Sequence, residues 1–303
     1  MKLLLIDTSA LFHRSRSALL RAMGEMTTSY GIPVTGTYGF CNALFSLIEK
    51  NSYDCVVPCI DMGGNFRKDE SSTYKANREK AGIAHYADLG LLLEEVLPAL
   101  GFSPVGRKGY EADDVIAHIS RTAPPCYSEI HIFTCDKDLL QLISPKVKVV
   151  LFNTAKKVSL VGLDEVESHF GVPPGEIKFF KALNGDSSDN IEGIKGIGPK
   201  TAVSIIESCR GGEDSWLSMA DRIVLHPKVK DNAAVFLENL RLVDLGGGVP
   251  DLEWYSSSPP LRADVEAVFT SLEFKSFLKE KRLGKILKTL KVDSCENSLG
   301  AGS

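Results

Sequence analysis

Two stretches decide the fold class: Lys2-Leu3-Leu4-Leu5-Ile6-Asp7, and Glu129-Ile130-His131-Ile132-Phe133 leading into Thr134-Cys135-Asp136-Lys137-Asp138. Each is a short, mostly apolar run that stops at an acid, the pattern of a buried strand with a carboxylate at its C-terminal end. Residues 55–60 and 147–152 read as two further strands, the first ending at Asp61. Between them lies helical spacing. Phe40, Ala43, Leu44, Leu47 and Ile48 share one face over 38–50, and 88–100 and 111–121 read as helices, the former bent near its end by Pro98. Strands separated by helices imply an α/β fold with a central, mostly parallel sheet flanked by helices. Ligands of such sheets sit beyond the C-terminal strand ends, the edge where Asp7, Asp61, Asp136 and Asp138 fall.

Outward from the sheet the character changes near residue 165. Residues 173–210 are helical and punctuated by glycine, 207–214 and 245–260 are loop-rich, and 274–291 carries seven Lys or Arg against one Glu. The expected division is a core over 1–165, a helical C-terminal domain over 166–291 and a flexible tail over 292–303.

The 303 residues are 44% hydrophobic and 24% charged, which excludes wholesale disorder and collagen-like repeats. No apolar run is long enough to cross a bilayer, and the N-terminal run meets Asp7 too early for a secretory signal. Seven cysteines, an odd number without a C-x-x-C pair, read as reduced thiols of a cytoplasmic protein. The formal charge of −4, from 39 acids and 35 bases, argues mildly against a nucleic-acid partner until the distribution of charge is considered.

Each acidic block has a plain structural explanation when taken alone. Glu111-Ala112-Asp113-Asp114 suits the first turn of a helix, Asp136-Lys137-Asp138 suits a turn, and Gly185-Asp186-Ser187-Ser188-Asp189-Asn190 suits a loop with a cap. Together, Asp7, Asp61, Glu111, Asp113, Asp114, Asp136, Asp138, Asp186 and Asp189 crowd mostly one edge, and clustered carboxylates repel unless a cation is shared. Hard oxygen ligands suit Mg²⁺ or Mn²⁺, and nine acids exceed what one ion needs, so two or more ions are expected.

Two basic blocks accompany the acids. Phe66-Arg67 and Tyr74-Lys75-Ala76-Asn77-Arg78 bring bases and an aromatic ring just after Asp61, suited to a phosphate and a stacked base or to a solvated loop. Gly193-Ile194-Lys195-Gly196-Ile197-Gly198-Pro199-Lys200-Thr201-Ala202 reads as a tight turn opening a helix, with proline in the first turn. Backbone N–H groups there can hold a phosphate, aided by Lys195 and Lys200. The spacing departs from a Walker loop.

In this order, these blocks resemble the 5′ nuclease family: the 5′→3′ exonuclease domain of bacterial DNA polymerase I, phage 5′ nucleases and flap endonucleases. The resemblance covers about residues 1–285, and Leu272-Glu273-Phe274-Lys275 looks like the end of the polymerase-type nuclease domain, so a stand-alone enzyme is expected. It implies a nuclease core with a helical arch at about 75–105 and a helix–hairpin–helix at about 190–208. It also implies a monomeric hydrolase of DNA with 5′ flaps, nicks or 5′ ends, with no membrane role. By matching positions, the nine acids form the metal cluster, with Asp136 and Asp138 among the catalytic residues. Lys75 and Arg78 contact the scissile phosphate, and Tyr74 stacks on a base. Arg67 and the hairpin residues Gly193, Lys195, Gly196, Gly198, Lys200 and Thr201 contact DNA, with a K⁺ held by hairpin carbonyls. Glu79-Lys80 stands where the polymerase-type pattern has proline, and Pro199 where it has an acid.

Other functions are weaker fits. A junction-binding protein without catalysis would have lost acids, and all nine are present. A small-molecule phosphohydrolase using Asp7 as nucleophile needs an acid two residues later, where Ser9 stands. A related RNA-directed nuclease shares the chemistry, but the hairpin favours duplex DNA.

Overall fold

β1 (Lys2–Asp7) runs directly into α1 (Thr8–Met23), followed by α2 (Thr35–Ile48) and β2 (Cys55–Cys59). A short α3 (Phe66–Glu70) precedes α4 (Ile83–Leu91), which continues through a π-helical stretch, Leu92–Val96, into one last turn, α5 (Leu97–Ala99). Then come α6 (Ala112–Thr122), β3 (Glu129–Thr134), β4 (Val147–Thr154), β5 (Lys157–Val161) and α7 (Leu163–Phe170). The helical part comprises α8 (Ile177–Asn184), the two-residue strands β6 (Gly185–Asp186) and β7 (Ile191–Glu192), α9 (Pro199–Cys209), α10 (Trp216–Leu225) and α11 (Ala233–Val243). The chain ends in α12 (Arg262–Ser271) and α13 (Glu280–Thr289). This computed structural model describes residues 1–77, 81–154, 157–210, 216–254 and 258–290. The tail expected over 292–303 lies outside them.

The main sheet has the order β2-β1-β3-β4-β5, parallel throughout except for the β4–β5 pair. From β1 the chain crosses to β2 on one side and later returns to β3 on the other, so the winding reverses at β1. Open α/β sheets bind ligands at such a switch point. The register holds Asp7 level with Cys59, the last residue of β2, and Ile6 level with Phe133 near the end of β3. The three acid-bearing ends therefore lie side by side.

Alternate strand residues feed two cores, as the pleat requires. Leu3, Leu5, Val57 and Ile132 pack with Val115, Ile116 and Ile119 of α6, and this core continues into Phe179, Ile205 and Phe236 of the helical part. Leu4, Ile6 and Val56 pack on the opposite face with Phe12 of α1 and Phe40, Leu44 and Phe45 of α2.

The structure departs from the sequence expectations in four places. α1 was not expected, because His13-Arg14-Ser15-Arg16-Ser17 interrupts its apolar stripe; Asp7 caps it, accepting from the Ala10 N–H at 3.2 Å. The helix expected at 88–100 begins at Ile83, widens to π geometry over Leu92–Val96 just before Pro98, and stops at Ala99. β5 adds an antiparallel edge strand. The last two helices do not join the helical part expected over 166–291: Phe269, Phe274 and Phe277 pack against Phe45 and Tyr38 of α2. Among the described residues no helix is long and apolar enough to cross a membrane, and six cysteines are free thiols.

Candidate metal centre and nucleic-acid interface

The acids at the sheet edge are held by local backbone chemistry. Asp7 is buried and accepts from the Thr134 hydroxyl at 2.6 Å, which ties the end of β1 to the end of β3. Burial pushes its carboxyl up to about 6, against the hydrogen bond from Thr134. Asp61, exposed just beyond β2, accepts from the Ala112 N–H at 2.9 Å and so fixes the start of α6. Asp136 accepts from the Asp138 N–H at 2.9 Å, turning the chain into the next segment. Asp113 faces Asp7 and Asp136, and burial with those two charges raises its carboxyl well above the usual range.

Two lysines stand among these acids. Lys75 is buried and has a backbone φ of 53°, a left-handed conformation costing a non-glycine residue on the order of 1–3 kcal/mol. Its N–H donates to the Asp189 carbonyl at 2.9 Å, and its ammonium lies 2.6 Å from Glu111 Oε1 and 3.6 Å from Asp189 Oδ2. Burial works against the charge on Lys75, but Glu111 and Asp189 outweigh it and raise its pKa. Lys75 and Arg67 in turn hold Glu111 below its ordinary value in spite of burial.

Lys181, on α8, is the second. Its ammonium bonds to Asp138 Oδ1 and to Asp186 Oδ2, the latter at 2.6 Å. Burial and Asp136 push Asp138 up to about 7 even against this ammonium, whereas Asp186, also bonded by the Ser188 N–H and hydroxyl, is held low in spite of its burial. The sequence reasoning missed Lys181. The available signal was a lysine in the apolar run Phe179-Phe180-Lys181-Ala182-Leu183, where a solvated charge has no place.

The structure thus gathers eight of the nine acids around the switch point: Lys75 bridges Glu111 and Asp189, Lys181 bridges Asp138 and Asp186, Asp113 lies near Asp7 and Asp136, and Asp61 lies near Asp7. Among the described residues, no three Asp, Glu, His or Cys side chains converge closely enough to ligate one ion as they stand. The donor chemistry nevertheless fits a hard divalent cation: the ligands are carboxylates, and Asp7, Asp113 and Asp138 carry raised pKa values that a shared cation would lower. Asp136, Asp138, Lys181 and Asp186 open onto a cleft of about 1140 Å³ whose other wall includes His13 and Arg14 of α1.

Three expected site residues are occupied elsewhere. Asp114, expected as a metal ligand, is bound at both oxygens by Arg67, at 2.8 and 2.7 Å. Arg67, expected on DNA, is 1% exposed and also donates to the Leu242 carbonyl at 2.8 Å. Tyr74, expected to stack on a base, is buried, and its hydroxyl lies 2.9 Å from Glu111 and 3.2 Å from Asp189. These three form the wall behind Glu111 and Asp189. Arg78 lies outside the described residues.

The expected hairpin links α8 to α9. Gly193 is half-buried rather than presented to a ligand: a β-carbon there would run into the Asn184 carbonyl oxygen. Gly196 turns at φ +87°, and Ile194 and Ile197 anchor the loop in the core. Lys195, Gly196, Gly198 and Lys200 are exposed at the start of α9, with Thr201 half-buried beside them. Of the stretch 75–105 expected to form an arch, residues 78–80 lie outside the described residues, and α4 is tied to α1 and α2. Buried Asp88 accepts from the Gly36 and Thr37 N–H groups at the start of α2, at 2.6 and 3.0 Å, and His85 stacks on His13 at 4.4 Å.

An acid-edged, doubly wound sheet continuing into a glycine-punctuated helical hairpin defines the class. The chain belongs to the 5′-3′ exonuclease family: residues 2–171 match its N-terminal resolvase-like domain and 172–245 its C-terminal SAM fold. The thermostable DNA polymerase I of Thermus thermophilus is 33% identical over 285 residues, covering 92% of this chain and 33% of that protein. DNA polymerase I of Synechocystis is 34% identical over 213 residues, covering 67% of this chain and 22% of that protein. The chain therefore spans a third or less of the length of these relatives. In fold it is similar to the T5 D15 protein co-crystallized with metal ions, with TM-score 0.63 and 21% identity over 96% of this chain and 98% of that one. Flap endonuclease-1 from Methanococcus jannaschii gives TM-score 0.57 and 17% identity over 95% and 92%.

Proposed function

We propose that this chain is a structure-specific 5′ nuclease, hydrolysing phosphodiesters near the 5′ end of DNA as a 5′→3′ exonuclease and flap endonuclease. The observation that carries the reading is the acidic switch point with Lys75 inside it, continuous through α8 with an exposed, lysine-bearing hairpin. The family membership supports the same reaction class, as does the likeness in fold to the catalytic core of Rad2 solved with its DNA substrate, TM-score 0.56 at 14% identity over 95% of this chain and 92% of that one.

Two or more Mg²⁺ or Mn²⁺ ions would be held by Asp7, Asp113, Asp136, Asp138 and Asp186, with Asp61, Glu111 and Asp189 around them. Bound there, such ions supply an ionised water and neutralise charge on the attacked phosphate and its leaving oxygen. The chain's own residues do the rest. The hairpin N–H groups with Lys195 and Lys200 grip duplex backbone, and a K⁺ on the hairpin carbonyls adds to that grip. The Lys75 ammonium stabilises charge growing on the phosphoryl oxygens, and Arg78 follows it in the sequence as a second cation. Asp114 and Arg67 position α6, and Tyr74 orients Glu111 and Asp189. The protein acts as a monomer in the cytoplasm.

Incubation of the chain with a 5′-labelled flap, a nicked duplex and single-stranded RNA, each with Mg²⁺ or EDTA, tests this. Metal-dependent release of 5′ products from the two DNA substrates is expected. Full activity in EDTA, or cleavage of RNA alone, overturns it.

A further inference from the structure

On the sheet face covered by α1 and α2, the two helices and β4 enclose a pocket of about 370 Å³ whose rim shares Arg14 and Arg21 with the acidic cleft. Leu19, Ala43, Leu47, Val150 and Phe152 give it apolar walls, and its volume suits a small organic molecule. Two polar residues line it with hydrogen-bonding capacity to spare. The Ser15 hydroxyl belongs to a residue only 4% exposed and has no hydrogen-bond partner, and buried hydroxyls are seldom left so. Asn42 accepts from Arg282 through Oδ1 at 2.8 Å, which leaves its amide NH₂ to donate. Charge at the pocket has one sign: Arg14, Arg21 and Lys50 line it, and no Asp or Glu is among the lining residues. Among the described residues, neither Arg21 nor Lys50 is engaged in an ion pair.

We propose that this pocket binds a small amphipathic anion. An aromatic or aliphatic body fills the space between Leu47 and Phe152. A single carboxylate, sulfonate or phosphate head meets Arg21 and Lys50, with the Asn42 amide as a directed donor. A cationic ligand would face three like charges, and a neutral one would leave the cations unused. A nucleic-acid duplex is too wide for the space.

The test uses 8-anilinonaphthalene-1-sulfonate as probe, titrated by fluorescence into the full chain in native buffer, with dodecanoate as competitor. One saturable site is expected, displaced by dodecanoate. Ala18→Trp, at an exposed position in the pocket lining, should abolish it; Leu160→Trp, at a half-exposed lining residue of β5, is a second block should the first fail to fold. Lys50→Glu should weaken the sulfonate about tenfold while leaving the neutral analogue N-phenyl-1-naphthylamine unchanged. Absence of saturable binding overturns the proposal. So does equal affinity for the charged and neutral probes, or binding indifferent to both tryptophan blocks in folded protein.

Discussion

The guanidinium of Arg67 and the carboxylate of Asp114 meet in a buried two-point ion pair, at 2.8 and 2.7 Å, that joins α3 to α6. The Leu242 carbonyl extends the link to α11. Two residues that local sequence assigns to phosphate and metal are thereby committed to each other. Arg67→Met strands a buried carboxylate and should cost about 3–5 kcal/mol, while Arg67→Met with Asp114→Leu should recover most of the loss. Urea unfolding measures both. A single mutant of wild-type stability whose DNA affinity becomes less salt-dependent would return Arg67 to the phosphate.

Exposed hairpin lysines should behave in the opposite way. Lys195→Ala or Lys200→Ala should leave stability within about 0.5 kcal/mol and reduce the log–log salt slope of duplex binding by about 0.9 each. The check is affinity for a nicked duplex across a range of KCl concentrations; unaltered slopes in both variants remove the hairpin from the interface.

Lys75 should act on the chemical step. Its replacement by alanine should lower the single-turnover rate on a flap roughly 10²–10³-fold with little change in binding. Asp136→Asn should also slow cleavage, but added Mn²⁺ should restore part of its rate and none of that lost with Lys75. Wild-type cleavage by Lys75→Ala would confine that residue to packing against Glu111.

Lys181 bridges Asp138 and Asp186 without being a ligand. Lys181→Met should lower the thermal midpoint in EDTA and enlarge the upward shift on adding Mn²⁺, because the uncovered carboxylates gain more from a cation. Differential scanning fluorimetry reads this without any turnover. Equal Mn²⁺ shifts in mutant and wild type count against the bridge.

A pH effect arises at the far end of the sheet. The Glu129 carboxylate can only accept, so His131 donates to it through Nε2, Nδ1 of the neutral ring is left to accept from the Tyr53 hydroxyl, and Lys148 also bonds Glu129. These partners, His131 first, pull the Glu129 carboxyl to about 2 from an ordinary 4.5. The folded state binds this proton later than the unfolded one, so the contribution is intact above pH 4.5 and is lost as pH falls toward 2. Glu129→Gln should flatten the stability curve in that window, and an unchanged acid limb would contradict the assignment.

The sheet and its acids were legible because both signals are local: an apolar run and the carboxylate that ends it. What escaped depends on distant partners. Arg67 reads as a ligand until α6 and α11 close over it. Lys181 has its bridged partner Asp138 more than 40 residues away in sequence. Nothing in the local sequence gives the bases of 274–291 a partner, yet Arg282 and Lys285 bond to Asn42 and Glu49 of α2. α1 escaped for the reverse reason: its buried Arg16 pairs with Glu25 and Asp88, so a residue that looks solvated lies inside.

Lys75 and Lys181 are, in effect, counterions on a tether. A free cation is recruited to a patch of carboxylates at whatever concentration the surroundings offer, but an ammonium on a short stem is present as soon as the backbone closes. The acidic edge can therefore assemble during synthesis, whatever the local supply of metal. Neutralising the edge is then part of folding itself.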